Sequence, residues 1–336
     1  MATTPRPALA EGPTVQADYE SLKAAAEWYA ALQDADAGPR QRDAWQRWLD
    51  ERPEHRQAWS HVEAVSRRFA PLRADGERDA AEKAARVASR PSTSRREAAR
   101  RVLALGGLGV LGLLAWRLTP LPAIVTAWRA DYATGIGEQR EIVLADGTRV
   151  WLNTRSAIDV DFDGERRLLT LAMGEILIDT AKDAQHRPFF VDTRFGRLQA
   201  LGTRFTVRQA DDDALLAVYE GQVRIRDLAG HDALVAAGEQ RRFDAGGIAS
   251  AAAADPAREA WSRGVVLAEN LPLAELVAEL GRYHAGHIGV DPRIAELRVV
   301  GRYPAADVDR TLAMIERDLP VRVERTLPWW VTLEPR

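Results

Sequence analysis

Cysteine is absent from the 336 residues. No disulfide framework and no thiolate metal site can therefore exist, and any exported part must be held by its apolar cores alone. Strong charge of either sign is missing as well. The 46 Lys+Arg and 49 Asp+Glu leave a net charge of −3, which gives no whole-chain electrostatic footprint for nucleic acid. The chemistry-bearing signatures are also lacking: no nucleophile elbow, phosphate loop or paired-carboxylate site stands out against the turn aspartates. Gly107-Leu108-Gly109-Val110-Leu111-Gly112 matches the dinucleotide pattern G-x-G-x-x-G, but prolines follow at 120 and 122 and no β-α-β unit surrounds it. It is a decoy. Hydrophobic content of 46% excludes wholesale disorder, and the length suits two or three domains.

One long uncharged apolar run is present, Val102 to Trp116. Fifteen helical residues reach only about 22 Å, short of the ~30 Å of a bilayer core. Extension toward Trp128 adds only one charge, Arg117, which can snorkel. A single transmembrane helix is expected over 102–122, closed by Pro120 and Pro122. Residues 82–101 hold seven Lys/Arg, whereas 119–138 hold only Arg129. By the positive-inside tendency the N-terminus is cytoplasmic and the C-terminus periplasmic, in a single-pass protein of the bacterial inner membrane. Val125-Thr126-Ala127 resembles a signal cleavage site and Ser94-Arg95-Arg96 a twin-arginine start. Both are weaker readings than a membrane anchor.

Residues 1–17 read as a tail and 18–70 as a small all-α domain. Leu22, Ala25, Ala26, Tyr29 and Leu32 share one helical face; Ala44, Trp45, Trp48 and Leu49 mark a second helix; Ala58, Trp59, Val62, Val65 and Phe69 mark a third. Trp28, Trp45, Trp48 and Trp59 crowd a domain too small to bury them all. Partly exposed tryptophans of this kind anchor protein partners. Eight Lys/Arg against ten Asp/Glu in 18–70 disfavour DNA. Residues 71–101 read as a solvated linker.

From about 131 to 247 the period becomes two, with short strands expected at 140–144, 148–153, 158–162, 167–171, 175–179, 189–193, 198–201, 204–208, 215–219 and 222–226 and tight turns at Asp146-Gly147 and Asp163-Gly164. This predicts an all-β domain. After the alanine-rich stretch 249–254, residues 265–336 read as a C-terminal α+β module of β-α-β repeats. Helices are expected from Pro272 and Asp307. His284 and His287 lie three apart but lack an evident third ligand, so a solvated pair is preferred to a metal site. Neither a metal nor a cofactor is expected. Gly202-Thr203 is chemically suggestive: a threonine hydroxyl can attack the preceding carbonyl and shift the acyl group to oxygen, and glycine leaves that carbonyl open. The bland alternative is a bulge or turn beside a β-branched residue.

Several stretches resemble the FecR family of transmembrane anti-sigma regulators in bacterial iron uptake. In the N-terminal part they are Ala44-Trp45-Gln46-Arg47-Trp48-Leu49 and Pro53 to Trp59. In the β domain they are Arg140 to Asn153, Gly174-Glu175, Leu201 to Val207 and Tyr219 to Val223. The last seventy residues look like the short secretin and TonB N-terminal signalling fold. The resemblance implies a cytoplasmic extracytoplasmic-function (ECF) sigma factor held by the N-terminal helices. It further implies the periplasmic signalling domain of a TonB-dependent outer-membrane ferric-siderophore receptor docking outside, site-specific proteases acting between, and, as in some members, self-cleavage at Gly202-Thr203. An enzymatic activity is not expected. A structural envelope scaffold and a membrane-tethered periplasmic hydrolase are the rival classes. The scaffold leaves the tryptophans without a role, and the hydrolase lacks a nucleophile–base set. The ligand sensed and the sign of the effect on the sigma factor are not written in the sequence.

Overall fold

The computed structural model describes residues 17–34, 37–67, 69 and 130–336. They fall into two compact units.

The first unit joins the N-terminal helices to residues 286–294 and 322–336. Helix α1 (Tyr19–Gln33) is capped by Asp18, whose carboxylate accepts a 2.7 Å hydrogen bond from the Ser21 N–H. Helix α2 (Pro39–Glu51) starts on Pro39, where the missing N–H costs nothing. Helix α3 covers 53–67. Ala25, Ala26, Ala58, Val62 and Val65 form a core with Trp329 and Trp330; the three alanines leave room for the two indoles. Lys23 Nζ closes the edge with a 2.5 Å ion pair to Glu334. That contact holds the Glu334 carboxyl down at about 2.

This core corrects the expected single transmembrane helix. Among the described residues no helix is long and apolar enough to cross a membrane, and the span expected at 102–122 lies outside the described residues, as does the linker 71–101. Segments before and after that span pack into one core. One crossing between them would hold them on opposite faces of a bilayer.

The second unit is dominated by one 14-stranded sheet. Its strands are β1 (Tyr132–Ala133), β2 (Arg140–Val143), β3 (Arg149–Leu152), β4 (Ala157–Phe162), β5 (Arg167–Asp179), β6 (Phe189–Thr193), β7 (Gly196–Ala200), β8 (Arg204–Gln209), β9 (Ala214–Glu220), β10 (Gln222–Asp227), β11 (Asp232–Ala236), β12 (Glu239–Asp244), β13 (Gly247–Ile248) and β14 (Ala252–Ala253). The order β11-β10-β7-β6-β5-β8-β9-β12-β13 places β5 centrally. The sheet curls until β11 comes against β9 and β12, and its inner face is lined by Val150, Ile176, Phe189, Phe205 and Phe243 among others.

Strand β5 explains the curl. Two strands, 167–171 and 175–179, are expected from periodicity, yet the chain runs through without a break. At Gly174 it takes φ +89°, and a Cβ there would collide with Ser156. Before that point β5 pairs with β4 and β6; after it, with β3 and β8. The glycine is the hinge at which one strand serves two halves of the sheet.

Beyond it lie a 3₁₀ helix (Pro256–Arg263), β15 (Val265–Pro272), α4 (Leu273–Gly281), β16 (His287–Val290), β17 (Arg298–Pro304), α5 (Val308–Asp318), β18 (Val321–Leu327) and β19 (Trp330–Pro335). The helices fall where expected, but the β-α-β repeats are corrected. The strands flanking each helix belong to different sheets: β15 pairs antiparallel with β17, while β16 and β18 both flank β19. Hydrophobic spacing reports which face of an element is buried and carries no information on which strand it joins.

Candidate functional site

Two places were expected to carry function, and a third emerges from the packing. The first is the tryptophan face of the N-terminal helices. All four rings are half-buried. Trp45 and Trp59 come together, centroids 4.9 Å apart, and Tyr29 joins them at 5.8 Å from Trp59. The Trp45 indole N–H is buried without an acceptor. Trp48 has a different neighbourhood. It stacks on His55 at 4.3 Å, lies 2.7 Å from the His55 ring nitrogen through its carbonyl oxygen, and packs against the first unit's core. Trp28 is half-buried on α1, and among the described residues no ring pair includes it. The face can therefore offer a clustered aromatic anchor, Trp45–Trp59, beside a more structural Trp48.

The second place is the Gly202–Thr203 peptide bond, in the turn leading into β8. Gly202 has φ +76°, a left-handed conformation that glycine adopts without strain. Thr203 is held by its backbone: its N–H donates to Thr180 Oγ1 at 2.7 Å, and its carbonyl accepts from the Thr180 N–H at 3.0 Å and the Thr180 hydroxyl at 3.1 Å. Its own hydroxyl is buried and has no hydrogen-bond partner. A Cβ at Gly221 would strike the Gly202 carbonyl oxygen, so that glycine is what lets β10's approach turn lie over the bond. The arrangement places a hydroxyl without a hydrogen-bond partner next to the Gly202–Thr203 bond, with no carboxylate or imidazole bonded to it.

The third place was not foreseen. Glu175 on β5 is buried and takes a 2.6 Å ion pair from Arg282, just past α4. It also accepts 2.9 Å from Asn153 Nδ2. The Asn153 Oδ1 in turn accepts from the Tyr283 hydroxyl at 2.8 Å, from Gln139 at 3.1 Å and from the Thr154 N–H at 2.8 Å. Arg282 shares its second nitrogen with Glu279 at 2.5 Å. Burial alone would raise the Glu175 carboxyl, but the guanidinium of Arg282, then that of Arg208, and the Asn153 amide hold it below the usual carboxylate range. Burial pushes the Tyr283 phenol up, so it stays a neutral donor. The network ties the end of α4 to Glu175 on β5 and to Asn153 just past β3. Both residues lie in stretches already singled out, Arg140 to Asn153 and Gly174-Glu175. Their role was hidden because the partner, Arg282, is more than a hundred residues away.

The description "FecR protein" fits residues 130–224, and "Domain of unknown function (DUF4880)" fits residues 23–65. No curated protein matches the chain. Among solved structures, the crystal structure at 1.65 Å of a candidate anti-sigma factor from Parabacteroides distasonis is 23% identical, covers 61% of this chain and 98% of its own, and superposes with a TM-score of 0.50. A second structure with that description, at 2.50 Å, has the same identity and coverage with a TM-score of 0.48. The first likeness shows a shared fold. Residues 130–224 of this chain are thus similar to the FecR protein family, and residues 23–65 to the domain described as DUF4880.

Proposed function

We propose that this protein is a sigma-factor regulator whose N-terminal helices hold an ECF sigma factor. The observation that carries the reading is the half-buried aromatic cluster of Trp45, Trp59 and Tyr29 inside the stretch fitted by the domain that precedes FecR. The similarity of residues 130–224 to the FecR family and the description of the first Parabacteroides structure support it. Binding of the intact chain to an ECF sigma factor is the test.

The finer part of the proposal is the upstream relay: the periplasmic signalling domain of a TonB-dependent ferric-siderophore receptor docks on residues 265–336, site-specific proteases act in between, and iron-uptake genes respond. The Lys/Arg asymmetry of 82–101 over 119–138 supports a relay that spans the envelope. Reporters fused after Arg90 and after Gly247 discriminate directly. Cytoplasmic activity for the first with periplasmic activity for the second is expected of the relay, whereas one compartment for both would refute it.

Self-cleavage belongs to the same proposal. The Thr203 hydroxyl attacks the Gly202 carbonyl carbon, the C–N bond breaks as the C–O ester forms, and water hydrolyses the ester to a Gly202 carboxylate and a free Thr203 amine. The step is single-turnover and the chain is not thereby an enzyme. Because β7 and β8 lie in one sheet, both fragments stay together. The purified protein should run as two bands on a denaturing gel and as one species by size exclusion, and Thr203→Ala should give one band. An intact wild-type chain after prolonged incubation would exclude cleavage.

A further inference from the structure

Three hydrogen bonds join Thr180, just past β5, to the backbone of Thr203. The Thr203 N–H donates to Thr180 Oγ1 at 2.7 Å, and the Thr203 carbonyl accepts from the Thr180 N–H at 3.0 Å and from the Thr180 hydroxyl at 3.1 Å. One hydroxyl thus spans both backbone groups of the residue whose nitrogen completes the Gly202–Thr203 bond. Thr180 is itself held from behind. The Ala181 N–H donates to Thr148 Oγ1 at 3.1 Å, and the Ala181 carbonyl accepts from Arg167 at 3.1 Å. Thr148 and Arg167 are both buried, and each donates to the Asp146 carboxylate at 2.7 Å. The Asp146-Gly147-Thr148 turn therefore fixes the residue next to Thr180, although it lies more than thirty residues away in sequence.

That placement matters for where charge goes as the bond breaks. When the Thr203 hydroxyl adds to the Gly202 carbonyl carbon, the carbonyl oxygen becomes an oxyanion and the hydroxyl proton passes to the Thr203 nitrogen. The nitrogen then carries two hydrogens and a positive charge. It leaves with the C–N electron pair as a neutral amine, while the oxyanion re-forms a carbonyl, now that of the ester. An acceptor already 2.7 Å from this nitrogen faces a neutral amide at the start and a cation at the tetrahedral stage. Charge-assisted hydrogen bonds are about twice as strong as neutral ones, and a contact that strengthens toward the transition state lowers the barrier. We infer, resting on the self-cleavage proposed above, that the Thr180 hydroxyl is a catalytic group for Gly202–Thr203 scission, accepting from the leaving nitrogen as it becomes positively charged. Thr180 and Gly202 also line a surface groove of about 470 Å³, beside Gln199 and Leu201, by which water reaches the ester.

The test follows the pulse-labelled full chain with time and reads the fraction cut on a denaturing gel. Thr180→Val keeps the side-chain shape and removes the hydroxyl, so it should slow cleavage about tenfold or more. Thr180→Ser should restore most of the rate. Thr206→Val is the matched control: Thr206 is also buried, on β8, and its hydroxyl meets Tyr219 rather than the bond, so this variant should cleave at the wild-type rate. Hydroxylamine replaces water as the nucleophile toward the ester, and it should not rescue Thr180→Val, whose slow step is the acyl shift. Size exclusion checks that each variant is folded, with Thr180→Ala taking the place of Thr180→Val if the latter aggregates. A wild-type chain that stays intact removes self-cleavage itself, and this role with it. Where the wild-type chain does cleave, the role of Thr180 alone is overturned by an undiminished rate in Thr180→Val, by equal slowing in Thr206→Val, by no recovery in Thr180→Ser, or by rescue of Thr180→Val with hydroxylamine.

Discussion

Replacing Trp45 or Trp59 by alanine should weaken sigma-factor binding by about 2 kcal/mol or more, roughly 30-fold, because truncating a buried aromatic anchor typically costs that much. The two rings touch at 4.9 Å, so the double variant should lose less than the sum of the single losses. Trp48 serves as the internal control. It stacks on His55 and packs against the core, so Trp48→Ala should lower the melting temperature of the chain more than it alters the sigma-binding face. Circular dichroism of each variant separates the two effects. Full-strength binding by folded Trp45→Ala and Trp59→Ala proteins would remove these residues from the interface.

The second large effect is expected at Arg282. Its guanidinium is the main partner of the buried Glu175 carboxylate, and removing one member of such a pair leaves an uncompensated buried charge, which costs about 3–5 kcal/mol. Arg282→Ala should therefore destabilise the second unit by that amount in urea unfolding. Adding Glu175→Gln should restore a large part of it, since the neutral amide can still take the Asn153 hydrogen bond. The sign with pH follows. Glu175 has its pKa lowered on folding, so its contribution is present above the unfolded carboxylate pKa and is lost as pH falls through the folded one. If Arg282→Ala unfolds like wild type, the network does not hold α4 to the sheet.

Much of the β domain was legible from residue alternation. The strand at 189–193 coincides with β6, and 140–144, 158–162, 204–208 and 222–226 agree with observed strands to within a residue or so at either end. The tight turn at Asp146-Gly147 is confirmed by a φ of +87° at Gly147, and its aspartate does more than turn the chain: it also receives a buried 2.7 Å ion pair from Arg167. Strands β11 and β12 escaped notice. Their sequences, Asp232–Ala236 and Glu239–Asp244, carry only one fully buried apolar side chain each, Val235 and Phe243. Edge and rim strands of this kind bury too little for alternation to show. The 3₁₀ helix was missed for another reason: it follows an alanine-rich stretch that reads as linker, although Asp255-Pro256 is a sound start signal and Asp255 does accept from the Ala257 N–H. The candidate sites divide in the same way. Tryptophan density and the Gly-Thr dipeptide are local and were visible, whereas the Glu175–Arg282–Asn153 network depends on tertiary pairing that no local pattern encodes.

The most direct measurement is titration of the purified intact chain with the ECF sigma factors of its own cell, by calorimetry, with the Trp45→Ala and Trp59→Ala proteins alongside. A one-to-one complex formed by the wild-type chain and weakened about 30-fold or more by each substitution is the predicted result. No binding by the wild-type chain, or binding that survives loss of residues 17–69, would contradict the assignment of this protein as a sigma-factor regulator acting through its N-terminal helices.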